Sequence, residues 1–259
     1  MPIWPVLVTA LGVGGATVIG AGIGFAFKKI SHKFSDIILS FAAGVMLAAA
    51  ILGLIIPSVE YGDKFGLLGG KFSLLVTVLG VFAGAICLNL TDRLVPHLHK
   101  ITGIEDEKHN NGKTSKIMLF VLAIAIHNLP EGIAAGVGFG AGDDPTRAIV
   151  IAAGIALQNI PEGMVIISPM LAAGVKPGRT FLIAALTGLV EVVGTLIGYA
   201  FGFASAILPF ALAFAGGTML YVISDEMIPE THAHGHQRGA TYALLVGFCL
   251  MFVTDYLLG

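Results

Sequence analysis

Apolar positions run along this chain in eight long stretches broken by short polar intervals. The stretches are Pro5–Phe27, Phe34–Pro57, Leu67–Val95, Lys116–Gly140, Arg147–Leu171, Thr180–Gly202, Ser205–Pro229 and Gly239–Leu258. Each is long enough for a helix to cross a bilayer, which takes about 20 residues. Unpaired backbone groups are too costly in hydrocarbon for irregular structure, so runs of this kind span lipid as helices. The pattern predicts an all-α integral membrane protein, one domain over residues 1–259 with eight transmembrane helices. The substantial polar interval is Pro96–Ser115, with the charged run Glu105–Asp106–Glu107–Lys108, and is predicted to be a loop.

Composition agrees with the pattern. Of the 259 residues, 56% are apolar and 12% charged, where a soluble domain carries about 25% charged residues. The net charge of −2 says nothing about partners, and no basic tract suggests nucleic acid. Cys87 and Cys249 lie inside apolar runs, which argues against a disulfide framework. Met1–Pro5 has no basic leader and no small-residue cleavage site follows the first run, so that run reads as a retained helix.

Charge sets the orientation. With the N-terminus outside, Lys28, Lys29, Lys33, Arg93, Lys100, Lys108, Lys113, Lys116, Lys176, Arg179 and Arg238 fall on the inner side. Only Lys64, Lys71 and Arg147 remain outside, a bias of eleven against three. Both termini are therefore expected outside, and the 96–115 loop in the cytoplasm.

Two repeats lie within the apolar stretches. His127-Asn-Leu-Pro-Glu-Gly132 recurs as Gln158-Asn-Ile-Pro-Glu-Gly163 on the next segment. Phe41-Ala-Ala-Gly-Val-Met-Leu47 recurs as Phe214-Ala-Gly-Gly-Thr-Met-Leu220, with Pro57 and Pro229 about ten residues on. In the topology above both pairs are inverted, the arrangement that transporters use to build two gates around a central site. The 35 glycines, with Ala16, Gly20 and Gly24 at small-xxx-small spacing, read mainly as close helix packing.

Glu131, Glu162 and Glu191 fall near the middle of apolar segments, as do His127, Asn128, Gln158 and Asn159. A carboxylate at that depth costs about 3 kcal/mol or more unless compensated. No Lys or Arg lies at mid-depth, so the missing positive charge is a metal ion or protons. His127 and Glu131 are four residues apart and share one helix face, and Gln158 and Glu162 repeat that spacing. Imidazole, two carboxylates and an amide oxygen suit Zn²⁺, Fe²⁺ or Mn²⁺ and lack the thiolates that select Cu(I). Asn128, Asn159 and Glu191 are candidates for a second ion, with Glu131 and Glu162 bridging. Pro130 and Pro161 deprive the carbonyls of Ile126 and Leu157 of their helix bonds, freeing them for an ion, water or bending.

With these motifs the chain resembles the ZIP (Zrt-, Irt-like protein) family of divalent-metal transporters, in its GufA-like branch. The resemblance covers the whole chain, and the repeated HNxPEG pattern is its specific part. It implies a 3+2+3 arrangement of eight helices and a transport site on the fourth to sixth that can hold two metals. His127, Glu131, Gln158 and Glu162 match one site; Asn128, Asn159 and Glu191, with the two shared glutamates, match the other. Gln158 stands where many members have His, and Asn159 where some have Asp, which lowers ligand charge and softness. The resemblance also implies transport toward the cytoplasm and a homodimer. The expected substrate is a divalent metal, Zn²⁺ foremost, with Fe²⁺, Mn²⁺, Cd²⁺ and Co²⁺ also accommodated. The expected membrane is a cell (cytoplasmic, inner) membrane crossed in many passes, with no nucleotide and no enzymatic activity.

Accessory groups flank that site. Asp143, Asp144 and Glu60 sit at the outer mouth and read chiefly as solvated. Met46 reads as packing or as a path-lining group. Asp92, His97 and His99 end the third segment, and Asp225, Glu226 and Glu230 approach the inner end of the seventh. His232, His234 and His236 follow in an alternating row, a compositional sign of an exit path, a sensing site or a polar loop. Asp36 and Asp255 stay unassigned. A metalloprotease would need a second mid-membrane His, and Gly112-Lys113-Thr114 lacks the glycine of a nucleotide loop, having Glu107 in its place. The standing alternatives are a proton or monovalent-cation carrier, a channel, and a metal sensor without flux.

Overall fold

A computed structural model describes residues 3–27, 31–65, 70–101, 128–139, 145–172, 174–202 and 207–258. Helix α1 covers Trp4–Phe27, and α2 (His32–Ala48) follows, its first turn capped by the Ser31 hydroxyl, which accepts from the Phe34 amide at 3.3 Å. A π-helical stretch, Ala49–Ile55, carries α2 without a break into α3 (Ile56–Phe65). Then come α4 (Gly70–Ile101), α5 (128–139), α6 (Pro145–Ala172) and α7 (Pro177–Gly202). Helix α8 (Leu208–Val222) passes through a second π-helical stretch, Ile223–Met227, into α9 (Ile228–His232), and α10 (Gln237–Leu258) ends the described chain. Among the described residues there is no strand, and seven spans are long and apolar enough to cross a membrane. Of the predicted fourth segment, Lys116–Gly140, only 128–139 is described, and it is helical.

Two segment ends differ from expectation for one physical reason. Pro57 and Pro229 were expected to close the second and seventh segments, yet the helices continue to Phe65 and His232. A proline lacks an N–H and clashes with the carbonyl four residues back. Here each proline follows a π-helical stretch and sits in the first turn of the next α-helix, where its missing donor costs little. Helix α4 also runs past Val95 to Ile101, so the start of the expected loop is helical. The rest of that loop lies outside the described residues. Gly174, at φ 86°, closes α6: its N–H bonds Leu171 O at 3.0 Å and the Val175 N–H bonds Met170 O at 3.1 Å.

The helices pack as two groups. Helix α1 lies against α6 and α7, while α2 pairs with α10 and α4 with α8. Within each group backbones touch where glycine leaves room. A Cβ on Gly163 would strike the Thr17 carbonyl, one on Gly132 the Glu191 carbonyl, and one on Gly44 the Leu244 carbonyl. Between the groups α6 meets α2, its π-helical continuation and α10 through side chains: Ile151 opposite Gly53, Met251 opposite Gly154. Outward faces carry large apolar side chains such as Leu75, Leu79, Phe82 and Ile86, as lipid contact requires. Cys87 and Cys249 are free thiols, as expected.

Candidate functional site

Four helices of the first group bring their polar residues to one place. Asn128 and Glu131 come from α5, Gln158 and Asn159 from α6, Glu191 from α7 and Thr17 from α1, all buried to 1% exposure or less. Asn128 and Glu131, three residues apart, share one face of α5, and Gln158 with its neighbour Asn159 reaches the same place from α6. Close approach of α5 to α7 at Gly132 and Gly194, and of α1 to α6 at Gly20 and Gly163, draws the side chains together.

The hydrogen bonds form one chain between two carboxylates. Gln158 Nε2 donates to Glu131 Oε2 at 2.8 Å and to Asn159 Oδ1 at 2.9 Å. Asn159 Nδ2 donates to Glu191 Oε2 at 2.6 Å and to the Val13 carbonyl at 3.2 Å. Glu191 Oε1 accepts from Asn128 Nδ2 at 2.5 Å and from Thr17 Oγ1 at 2.7 Å. Every donor named here is neutral. Among the described residues no Lys or Arg is buried; Lys33, Lys176, Arg179 and Arg238 are exposed. The amide oxygens Asn128 Oδ1 and Gln158 Oε1 are buried with no hydrogen-bond partner among the described residues. An oxygen without a donor beside buried carboxylates is what a cation would satisfy, by charge and by lone pair together. The donor set fits a hard or borderline divalent ion.

The predicted residues are not all gathered. His127 lies outside the described residues, and without it no three His, Cys, Asp or Glu side chains converge to ligand geometry among those described. Glu162 is half-buried and lines a cavity of about 440 Å³ with Asp36, Asp225, Glu226 and Glu230. Met46 is buried in the apolar core. Asp92, His97 and His99 lie on α4, and their side chains, like Asp143 and Asp144, are outside the described set. Two of the alternating histidines turn to different partners. His232 is engaged by the Ile228 carbonyl at 2.8 Å and by the hydroxyls of Thr231 (3.1 Å) and Thr241 (3.2 Å). His234 pairs with Asp36 at 3.0 Å and stacks on His32, with centroids 4.5 Å apart.

Sequence reasoning missed Thr17 and left Asp36 unassigned. Thr17 carried a weak signal, as the one hydroxyl near the middle of α1, and transmembrane threonines usually bond their own helix. Asp36 stands at the edge of an apolar run, where a carboxylate passes for a solvated cap.

Comparison with known proteins adds the family. The family model of the ZIP zinc transporter matches residues 105–255, a span that holds Asn128, Glu131, Gln158, Asn159, Glu162 and Glu191. The chain is 41% identical over 254 residues to zinc transporter GufA of Myxococcus xanthus, covering 98% of each. It is 38% identical to zinc transporter ZIPB of Bordetella bronchiseptica, over 94% of this chain and 78% of that protein. It is 30% identical to human zinc transporter ZIP11, over 95% of this chain and 94% of that one. Likeness of this extent, with the polar cluster inside the matched span, leaves one assignment: the chain belongs to the ZIP zinc transporter family, a family of transporters and not of enzymes.

Proposed function

We propose that this chain carries divalent transition-metal cations, Zn²⁺ foremost, across a cell membrane toward the cytoplasm. The observation that carries the reading is the pair Glu131 and Glu191, buried, joined through two amides and faced by no buried Lys or Arg among the described residues. Two carboxylates so placed are stable when a cation joins them, and two amide oxygens stand ready as further ligands. The names of the relatives above support zinc as cargo.

Eight spans, with both termini outside, are part of the proposal. The helical stretch 128–139 supports the fourth span, and the π-helical stretches that follow both FAxGxML copies support an inverted repeat. The chain is a single transporter domain with its 96–115 loop in the cytoplasm, and it works as a homodimer. His127, Glu131, Gln158 and Glu162 hold one ion; Asn128, Asn159 and Glu191, with the shared glutamates, hold a second. Fe²⁺, Mn²⁺, Cd²⁺ and Co²⁺ fit the same donors.

The ion reaches Glu131 and Glu162 from outside and leaves through the cavity bounded by Asp225, Glu226 and Glu230, which the charge bias puts at the cytoplasmic end. Asp92, His97 and His99 receive it there. Rocking of one helix group against the other exposes the site to each side in turn.

Purified protein in proteoliposomes tests this. Saturable uptake of radioactive zinc, with competition by the other divalent ions, is the expected result. Tight zinc binding without uptake would turn the reading to a sensor, and neither binding nor uptake to a proton carrier.

A further inference from the structure

Among the described residues most threonines bond their own helix, Thr77 shares its hydroxyl with Ser58, and Thr17 reaches a carboxylate. Thr91, Thr180, Thr187, Thr195, Thr218 and Thr254 turn their hydroxyls back to a carbonyl three or four residues earlier on their own helix. Thr17 does not. It is fully buried in α1, and its hydroxyl crosses to α7 and donates to Glu191 Oε1 at 2.7 Å.

We propose that Thr17 is a positioning residue that fixes one oxygen of Glu191 and thereby sets which divalent cation the site prefers, a role that rests on the metal-transport reading above. Three donors hold Glu191, and they are not equivalent. Asn128 and Asn159 are amides, which can turn about their last torsion and offer a cation oxygen in place of N–H. A hydroxyl facing a carboxylate has one role, to donate. When an ion draws the amides away, Thr17 is the donor that stays, and it keeps Oε1 occupied. Glu191 then meets the ion through Oε2 alone.

The threonine is built to hold still. A Cβ on Gly163 would meet its carbonyl, and one on Gly188 would touch its own Cβ at 3.4 Å, so α6 and α7 close on it from two sides. Branching at Cβ leaves its side chain few rotamers. Outer partners of this sort orient metal ligands, and their loss typically changes metal affinity or activity by about 10–100-fold.

Single-oxygen binding favours a small ion of low coordination number such as Zn²⁺. A carboxylate free to use both oxygens favours larger ions that take more ligands. Loss of the Thr17 hydroxyl therefore shifts preference from Zn²⁺ toward Cd²⁺.

The test is uptake of Zn²⁺ and Cd²⁺ by reconstituted protein, read as the ratio of their kcat/KM values. Thr17→Val, which keeps the shape and removes the hydroxyl, should move the ratio toward Cd²⁺ by about tenfold or more. Thr17→Ser, which keeps the hydroxyl, should hold the wild-type ratio. A Val variant with an unchanged ratio, whatever its rate, overturns the proposal, and so does a Ser variant that shifts as Val does. Should the Val protein fail to reconstitute, Thr17→Ala against Thr17→Ser isolates the hydroxyl in the same way. Failure of all three to fold makes Thr17 a packing residue and overturns the role. Wild type without uptake of either ion defeats the transport reading itself, a result distinct from an unmoved ratio.

Discussion

The two helix groups bury polar residues in different ways. In the group of α2 to α4 with α8 to α10, Ser58 donates to the Pro209 carbonyl at 2.7 Å and shares a 2.7 Å bond with the Thr77 hydroxyl. Asn89 there donates to the Tyr221 hydroxyl at 2.7 Å. These are neutral bonds between helices, each a modest contribution of about 1 kcal/mol. The group of α1 and α5 to α7 instead buries Glu131 and Glu191 with amides that keep oxygens in reserve. The first arrangement fastens helices together. The second gathers carboxylates and amide oxygens at one place, the donor set on which the proposed cation transport rests.

Contacts within and between the groups differ as well. Glycine brings backbone to backbone inside each group, so those surfaces are rigid and sensitive to a single methyl. Across the seam the partners of Gly53 and Gly154 are the side chains of Ile151 and Met251, which can change rotamer. A seam of side chains suits the relative motion that the proposed alternate exposure of the site would need.

The largest effect expected is at the carboxylates. Glu131→Ala and Glu162→Ala should each abolish zinc uptake at equal reconstitution, whereas Ser58→Ala in the other group should leave it within about threefold, as loss of a neutral bond implies. Wild-type uptake by both glutamate variants would break that contrast. Joining the groups should act nearly as strongly. Cysteines at Gly154 and Met251, in a background lacking Cys87 and Cys249, should stop uptake when oxidised and restore it when reduced. Uptake that ignores the cross-link would remove relative motion from the account.

Smaller effects separate the two kinds of contact. Gly163→Ala drives a methyl into the Thr17 carbonyl and should destabilise the detergent-solubilised protein by about 1–3 kcal/mol. Gly154→Ala meets only the end of Met251 and should cost less than about 1 kcal/mol. Thermal unfolding of the two variants side by side reads the difference, and equal shifts would deny it. Glu191→Ala should lower the zinc stoichiometry by isothermal titration from two to one. A value of one in both proteins would end the two-ion reading.

Much of this was legible in the sequence for identifiable reasons. Apolar runs of membrane length have one structural solution, so the helices could be marked before their packing was known. Glu131, Glu162 and Glu191 stood out because lipid makes a buried carboxylate expensive. Less legible were features that depend on neighbours. Thr17 looks like any helix threonine until α7 is set beside it, and Asp36 like a cap until His234 and the cavity are seen. Pro57 and Pro229 misled because a π-helical stretch lets a helix carry a proline onward, and nothing in either local sequence announces one. The histidine row was open between an exit path, a sensing site and a polar loop, and the structure turns His232 to a helix end and His234 to Asp36.

The central claim, that the buried carboxylates of the first group carry a divalent cation through the membrane, is most directly tested by radioactive zinc uptake into proteoliposomes, wild type beside Glu131→Ala. The account predicts saturable uptake by wild type and only background leak in the variant. Equal uptake by the two proteins, at matched amounts in the vesicles, would contradict it.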